Sequence, residues 1–370
     1  MPTNGKIDDP LLKLLRAGLY NSSAPLGGSF PLLSAEEWCG IYEESKRQTV
    51  SGVMFQALSL LQEEKMPPVD LLSRWLVRSH RIEQAHHSMS EILTRLIPAL
   101  KAENLHPVLQ KGHAVARFYS CPELRMCGDI DLWFPGDERS LADKFISSKG
   151  IQVSPTPDNG SGYLMNGIEV EHHTSLIELH SPFHARKIAR LVELQGSVDV
   201  SLPNGMMGKV PAPLIELMMF NVHILKHCLG VGIGLRHFCD YAMAWNGLVD
   251  NGKLSADNYF KVCEDLGILG WTSILHRFIN KYLSSPDGDA VTPLPGDLND
   301  KVLERIFNMV MEGGNFGLFN EKRAKTLHKN RWLRKLNTMS AFLGNASLAI
   351  HIAPSEAFWT FSRLLIGQLN

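Results

Sequence analysis

The run Cys127-Gly128-Asp129-Ile130-Asp131-Leu132-Trp133-Phe134 constrains the fold more than any other stretch of the chain. It has the apolar content of a buried β-strand, yet it carries two acids one residue apart. Successive side chains of a strand face opposite ways, so Asp129 and Asp131 share one face while Ile130 and Leu132 take the other. Two carboxylates roughly 6–7 Å apart on a partly buried face repel each other, and burying an unpaired charge costs several kcal/mol. A cation is therefore expected between them. A divalent metal suits the position, because magnesium is commonly held by one or two carboxylates together with substrate phosphates. The alternative is structural: Asp129 as a cap and Asp131 ion-paired to Arg125.

The surrounding patterns place this strand in a small α+β block between helical regions. Residues 10–100 have helical spacing, beginning with Leu11, Leu12, Leu14 and Leu15, then a Ser34-Ala35-Glu36-Glu37 start signal. After Pro67-Pro68 a long amphipathic helix runs from Val69 to about Leu100, with Leu71, Leu72, Trp75 and Leu76 set against Arg74, Arg78 and Arg81. Its His80, His86 and His87 read as a solvated face. From Leu105 the pattern changes to a strand-like HPVLQKG, a helical AVARFY, a loop CPELRMCG and then DIDLWF. Asp137 to Lys149 is helical with Gly150 as its stop. Two further strand-like runs, GYLM and IEVEHHTSLIELH, are joined by Asn166-Gly167, a strong hairpin signal. From Pro211 the pattern is helical again. The expected units are an N-terminal helical region over 1–100, an α+β core over 101–205 and a C-terminal helical region over 206–370, since single cores stop growing near roughly 250–300 residues.

Composition removes several classes of function. The 37 Lys+Arg and 38 Asp+Glu nearly cancel, which excludes a uniformly basic nucleic-acid coat. Six cysteines without a C-x-x-C pair fit reduced thiols and no zinc site. The N-terminal stretch lacks signal-peptide order and no run reaches the roughly 18 apolar residues of a membrane span, so a cytoplasmic protein with no membrane partner is expected. One local patch stands out: Lys322, Arg323, Lys325, Lys329, Arg331, Arg334 and Lys335 beside Glu321. It reads first as a solvated helix face and second as a contact for a polyanion such as tRNA.

A third acid would complete a metal site. Glu178 lies between Ile177 and Leu179 in strand-like alternation, with His180 on its face. If that strand pairs beside DIDLWF, three carboxylates converge, enough for two ions roughly 3.5–4 Å apart. The doublet His172-His173 sends its rings to opposite faces, so at most one joins the site. His223, Lys226 and His227 fall on one helical face, to meet a triphosphate or solvent. Asp240 is expected to pair with Arg236 at i, i+4.

Lys111-Gly112, Tyr119, Pro122, Leu124-Arg125, Gly128-Asp129-Ile130-Asp131-Leu132 and Ile177-Glu178-Leu179-His180, in this order, resemble the uncharacterised nucleotidyltransferase family of the DNA polymerase β-like superfamily. PAPLIELMMFNVHILKH and GLRHFCDYAMAW resemble the helical part that follows its catalytic core, so the resemblance spans about residues 90–250, with a weaker likeness at Gly313-Gly314-Asn315-Phe316-Gly317. It implies a mixed sheet, two Mg2+ or Mn2+ ions, a nucleoside triphosphate such as ATP, and transfer of its nucleoside monophosphate to a hydroxyl with loss of pyrophosphate. Asp129 and Asp131 would hold both ions, and Glu178 would complete the acceptor-side ion. Lys111, Gly112, Arg125, Gly128, His180, Lys226 and His227 would bind the nucleotide. The acceptor could be a small molecule, a protein or RNA; DNA is not expected. Two departures bear on this: His113 replaces the Ser or Gly usual after the strand-end glycine, and sixteen residues separate Gly112 from Asp129. A catalytically silent nucleotide-binding or interaction module of the same fold, or a metal-dependent phosphohydrolase, are the alternatives.

Overall fold

The structure is a computed structural model that describes residues 5–27, 30–156, 159–229, 232–294, 300–315, 350 and 352–369. Helices α1 (Gly5–Tyr20), α2 (Ala35–Arg47), α3 (Ser51–Leu58) and α4 (Val69–Ala102) come first. Ser34 and Glu37 close a reciprocal capping box at the start of α2, as the sequence signal predicts. Two glycines let α3 sit against its neighbours without a gap. A Cβ on Gly18 would stand 2.0 Å from the Val53 carbonyl oxygen, and one on Gly52 would stand 2.1 Å from that of Leu124. The second contact seats the N-terminal helices on the loop that leads into the Asp129 strand.

The core block follows as β1 (Val108–Gln110), α5 (Gly112–Ala116), β2 (Asp129–Trp133), α6 (Glu138–Ser148), β3 (Ser154–Pro155), β4 (Ser161–Met165) and β5 (Ile168–His173). These strands form one mixed sheet in the order β1-β2-β5-β4-β3, with β2 and β5 parallel and every other pairing antiparallel. Asn166 and Gly167 both have positive φ and turn β4 into β5 within two residues, as their chemistry requires. One sheet face buries Ile130, Leu132 and Val170 against Ala142 and Ile146 of α6 and Leu93, Leu96 and Leu100 of α4. The opposite face carries the acids.

Then come α7 (Pro182–Gln195), a two-stranded ribbon of β6 (Ser197–Ser201) and β7 (Met207–Pro211), and the helices α8 (Pro213–Leu229), α9 (Leu235–Trp245), α10 (Ala256–Asp265), α11 (Leu269–Tyr282), α12 (Asp300–Gly313) and a C-terminal helix, Pro354–Leu369. Trp38 and Trp75 from the N-terminal helices share one continuous core with Trp245, Trp271 and Phe278 from this later part. The fold is thus α+β, with helices on both sides of a small mixed sheet.

The structure differs from the sequence expectation in one place that matters for the site. IEVEHHTSLIELH is not one strand: β5 ends at His173, and residues 174–181 are irregular. The partner strand β2 ends at Trp133, two residues before Pro135, which lacks an N–H for a ladder, so nothing remains for Thr174 onward to pair with. Ile177 and Leu179 are buried as the alternation suggested, but as loop side chains packed on the helical core together with Leu176. The basic stretch 322–335 and the residues Phe316 and Gly317 lie outside the described residues. Among the described residues no helix is long and apolar enough to cross a membrane, and the six cysteines are free.

Candidate active site

The parallel pairing of β2 with β5 sets Asp129 opposite Glu169 and Asp131 opposite Glu171. Because neighbouring residues in register share a face, Asp129, Asp131, Glu171 and His173 project from the same side of the sheet. Asp131, Glu171 and His173 each present one ligand atom, all within 4.8 Å of one another. The third acid beside the Asp pair is therefore Glu171, and Glu178 is not part of this cluster. The doublet behaves as its spacing demands: the His173 ring donates from Nε2 to Asp131 at 2.5 Å, while His172 turns to the other face and meets Asp143 and Tyr163.

The charges respond to this crowding. Repulsion from Asp131, reinforced by burial, raises the carboxyl of Asp129 above the usual range. Burial also acts to raise Asp131, but Lys111, whose Nζ stands 3.9 Å away, and the His173 hydrogen bond outweigh it and hold that carboxyl low. Glu171 is pushed up to about 7 by burial and by Asp131. Counter-charge comes from Lys111 and His173 at Asp131 and from Arg236 near Asp129, against the carboxylates that β2 and β5 set on one face. Asp131, Glu171 and His173 are close enough together that they could hold a metal ion.

Beside the acids lies a small pocket lined by Lys111, His173, Glu178, His223 and Lys226. At ≈ 50 Å³ it holds a few water-sized groups. Here Glu178 pairs with Lys226 across the opening, and both side chains are more than a third exposed. His223 stacks on His237 and lies tilted against His227, and burial lowers all three imidazoles below their ordinary value, so they stay neutral.

The sequence matches the family described as "Uncharacterised nucleotidyltransferase" over residues 34–272, well over half of the chain. The chain belongs to that family. No curated protein matches it significantly. Among solved structures it is similar to the crystal structure of an antigenic nucleotidyltransferase-like protein from Paracoccidioides brasiliensis, at 15% identity and a TM-score of 0.32, over 51% of this chain and 88% of that one.

Several sequence candidates occupy other positions. Arg125 is buried and gives Nε and Nη2 to the two oxygens of Asp240, which also accepts from the Tyr119 hydroxyl. Its fork is spent inside the protein, which removes it as a phosphate ligand and replaces the expected Asp240–Arg236 pair. Arg236 instead donates to the Met126 carbonyl, leaves its buried Nε without a partner, and partly offsets the rise that Asp131 and burial impose on nearby Asp129. His180 faces the C-terminal helix: its N–H donates to Glu356 and its Nδ1 bonds Thr360. Gly112 does lack a Cβ for a reason, but the atom that a Cβ would strike is Cys127 Sγ at 2.6 Å, so the glycine seats the strand-end turn against the loop before Asp129. Gly128 is exposed, and a Cβ there would meet nothing within 4 Å. His86 is buried and stacks on His113 at 4.1 Å, where a solvated face was expected.

Glu171 is the candidate site residue that sequence reasoning missed. The signal was present as a second alternating pair, Glu169-Val170-Glu171, matching Asp129-Ile130-Asp131 in length and polarity.

Proposed function

We propose that the protein transfers a nucleoside monophosphate from a nucleoside triphosphate to a hydroxyl acceptor, with release of pyrophosphate. The observation that carries the proposal is the convergence of Asp129, Asp131 and Glu171 on one sheet face, next to a pocket flanked by Lys111 and Lys226. Asp129, Asp131 and Glu171 would hold magnesium or manganese, two ions in a two-metal scheme, with His173 fixing Asp131. Such ions supply charge neutralisation for the phosphates and the attacking oxygen.

The remaining work falls to the chain's own side chains. Lys111, whose Nζ stands 3.9 Å from Asp131, supplies an ammonium group on the phosphate side. Lys226 is held only by an exposed ion pair, a type worth about 0–1 kcal/mol, so it can leave Glu178 for a phosphate oxygen at little cost. Neutral His223 forms part of the wall without adding charge of its own, with neutral His227 against it. Positioning and electrostatic stabilisation then account for the rate, as in phosphoryl transfer generally.

The test is incubation with Mg2+ or Mn2+ and each labelled triphosphate, following pyrophosphate release and label transfer to added acceptors or to the protein. Transfer lost in Asp131→Asn supports the proposal. Inorganic phosphate without pyrophosphate would instead mark a phosphohydrolase, and triphosphate binding unchanged by Asp129→Ala and Asp131→Ala, with no turnover, a silent module.

A further inference from the structure

A second, larger cavity opens on the side of the molecule where the N-terminal helices meet the loop before β2. It measures ≈ 580 Å³, and its cations are Lys46, Arg74, Arg78 and Arg81, with no acid among the residues that line it. Arg74, Arg78 and Arg81 follow one another at i, i+4 and i+7, so they form one row along α4 about 10 Å long. Like charges at this spacing repel and lower helix stability, so the row needs a reason.

Their neutralisation inside the protein is slight. Arg74 reaches Glu43 only at 3.9 Å, and Glu43 is already bonded to Lys46. Arg78 donates to the Ser51 hydroxyl, which is uncharged, and Arg81 has no partner among the described residues. Between the guanidiniums the wall is apolar, with Val77 half exposed and Ile82 behind it. Met126 and Cys127, from the loop before β2, also line the groove. Cys127 Sγ donates to the Asp129 carbonyl, and Arg236 ties the Met126 carbonyl to a guanidinium whose charge reaches the Asp129 carboxylate. The groove is therefore lined in part by the loop that leads into the Asp129 strand.

We propose that this groove binds the acceptor of the reaction, and that the acceptor is the hydroxyl-bearing end of a single-stranded nucleic acid. A row of cations about 10 Å long faces two or three consecutive phosphates, exposed apolar patches between them take unpaired bases, and the Met126–Cys127 side would carry the terminal hydroxyl toward the loop that precedes Asp129. A single phosphate would use one of the three arginines and leave most of the cavity empty. The identity of the acceptor rests on the transferase reading above; the binding itself does not.

The test uses the full-length protein and a fluorescein-labelled ten-nucleotide oligo(U) RNA, followed by anisotropy in EDTA without triphosphate. Binding is expected, weakening with salt. Arg74→Glu with Arg81→Glu, both at exposed positions, should raise Kd about tenfold or more and lower the log–log salt slope by about 1.4, at about 0.7 per lost phosphate contact. Arg186→Glu with Arg190→Glu on the exposed side of α7 is the control and should leave Kd unchanged. Should the double variant fail to fold, Arg81→Ala alone is read the same way.

Equal binding by wild type and the groove variant overturns the proposal, as does tighter competition by polyglutamate than by RNA, or competition by inorganic tripolyphosphate as strong as that by the oligonucleotide. Loss of binding in the variant with no transfer under any metal supports the groove and defeats the transferase reading. Transfer to RNA with an unchanged KM in the variant does the reverse.

Discussion

Removing the carboxylate of Asp240 should be among the most damaging single changes in the chain, although Asp240 touches no proposed substrate. Arg125 and Asp240 are each 4% exposed and share two hydrogen bonds, and Tyr119 adds a third. Asp240→Ala leaves a buried guanidinium without a counter-charge, a loss of about 3–5 kcal/mol, and strands the Tyr119 hydroxyl for about 1 kcal/mol more. Against a total stability of about 5–15 kcal/mol this is a large fraction. Urea unfolding at pH 7, followed by tryptophan fluorescence, reads it as a lower midpoint at unchanged slope. The pair links residues 115 positions apart and anchors the loop that delivers Asp129, so the variant should also lose any activity more steeply than stability. Replacing both partners by apolar residues, Arg125→Met with Asp240→Leu, should cost less than Asp240→Ala alone, because no lone buried charge remains. A cost below about 1 kcal/mol for Asp240→Ala, or additive costs in the double variant, would refute the reasoning.

Three further outcomes follow from single contacts. Gly112→Ala should destabilise by about 1–3 kcal/mol because its Cβ meets Cys127 Sγ, and Cys127→Ala should restore much of the loss in a thermal melt. Glu356 accepts from the N–H groups of His180 and Ser181 and bonds His184 at the start of α7, so Glu356→Ala should raise amide exchange over residues 178–184 while leaving β2 protected. Burial lowers His276 and His86 to about 4, and burial with His86 beside it lowers His113 to about 3. Their folded-state values lie below the unfolded value, so the unfolded chain takes up protons first as pH falls through 6.5. Stability should be complete above that pH and decline toward pH 4, by up to about 1.4 kcal/mol per pH unit for each histidine, as urea midpoints at pH 7, 6 and 5 would show.

Much of this architecture is legible in the sequence because it is local. The Ser34–Glu37 box, the Asn166-Gly167 hairpin and the alternation of Asp129-Ile130-Asp131 each depend on residues within a few positions of one another, and each appears where the spacing puts it. What could not be read is pairing across the chain. Alternation places Glu178 between two buried aliphatic residues as faithfully in a packed loop as in a strand, and only the parallel register of β2 with β5 selects Glu171. Arg125 is equally plausible as a phosphate ligand until Asp240 arrives from a distant helix. The ribbon of β6 and β7 carries too few apolar residues to announce itself, because it lies partly exposed at the margin of the sheet.

The choice between Glu171 and Glu178 is the most direct test of the whole account. Titration of the protein with Mn2+, read by the loss of the free-ion paramagnetic signal, should give affinity that falls about tenfold or more in Asp131→Asn and Glu171→Gln and stays near wild type in Glu178→Gln. Unchanged Mn2+ binding in Glu171→Gln, with loss in Glu178→Gln, would contradict the carboxylate site described for this protein.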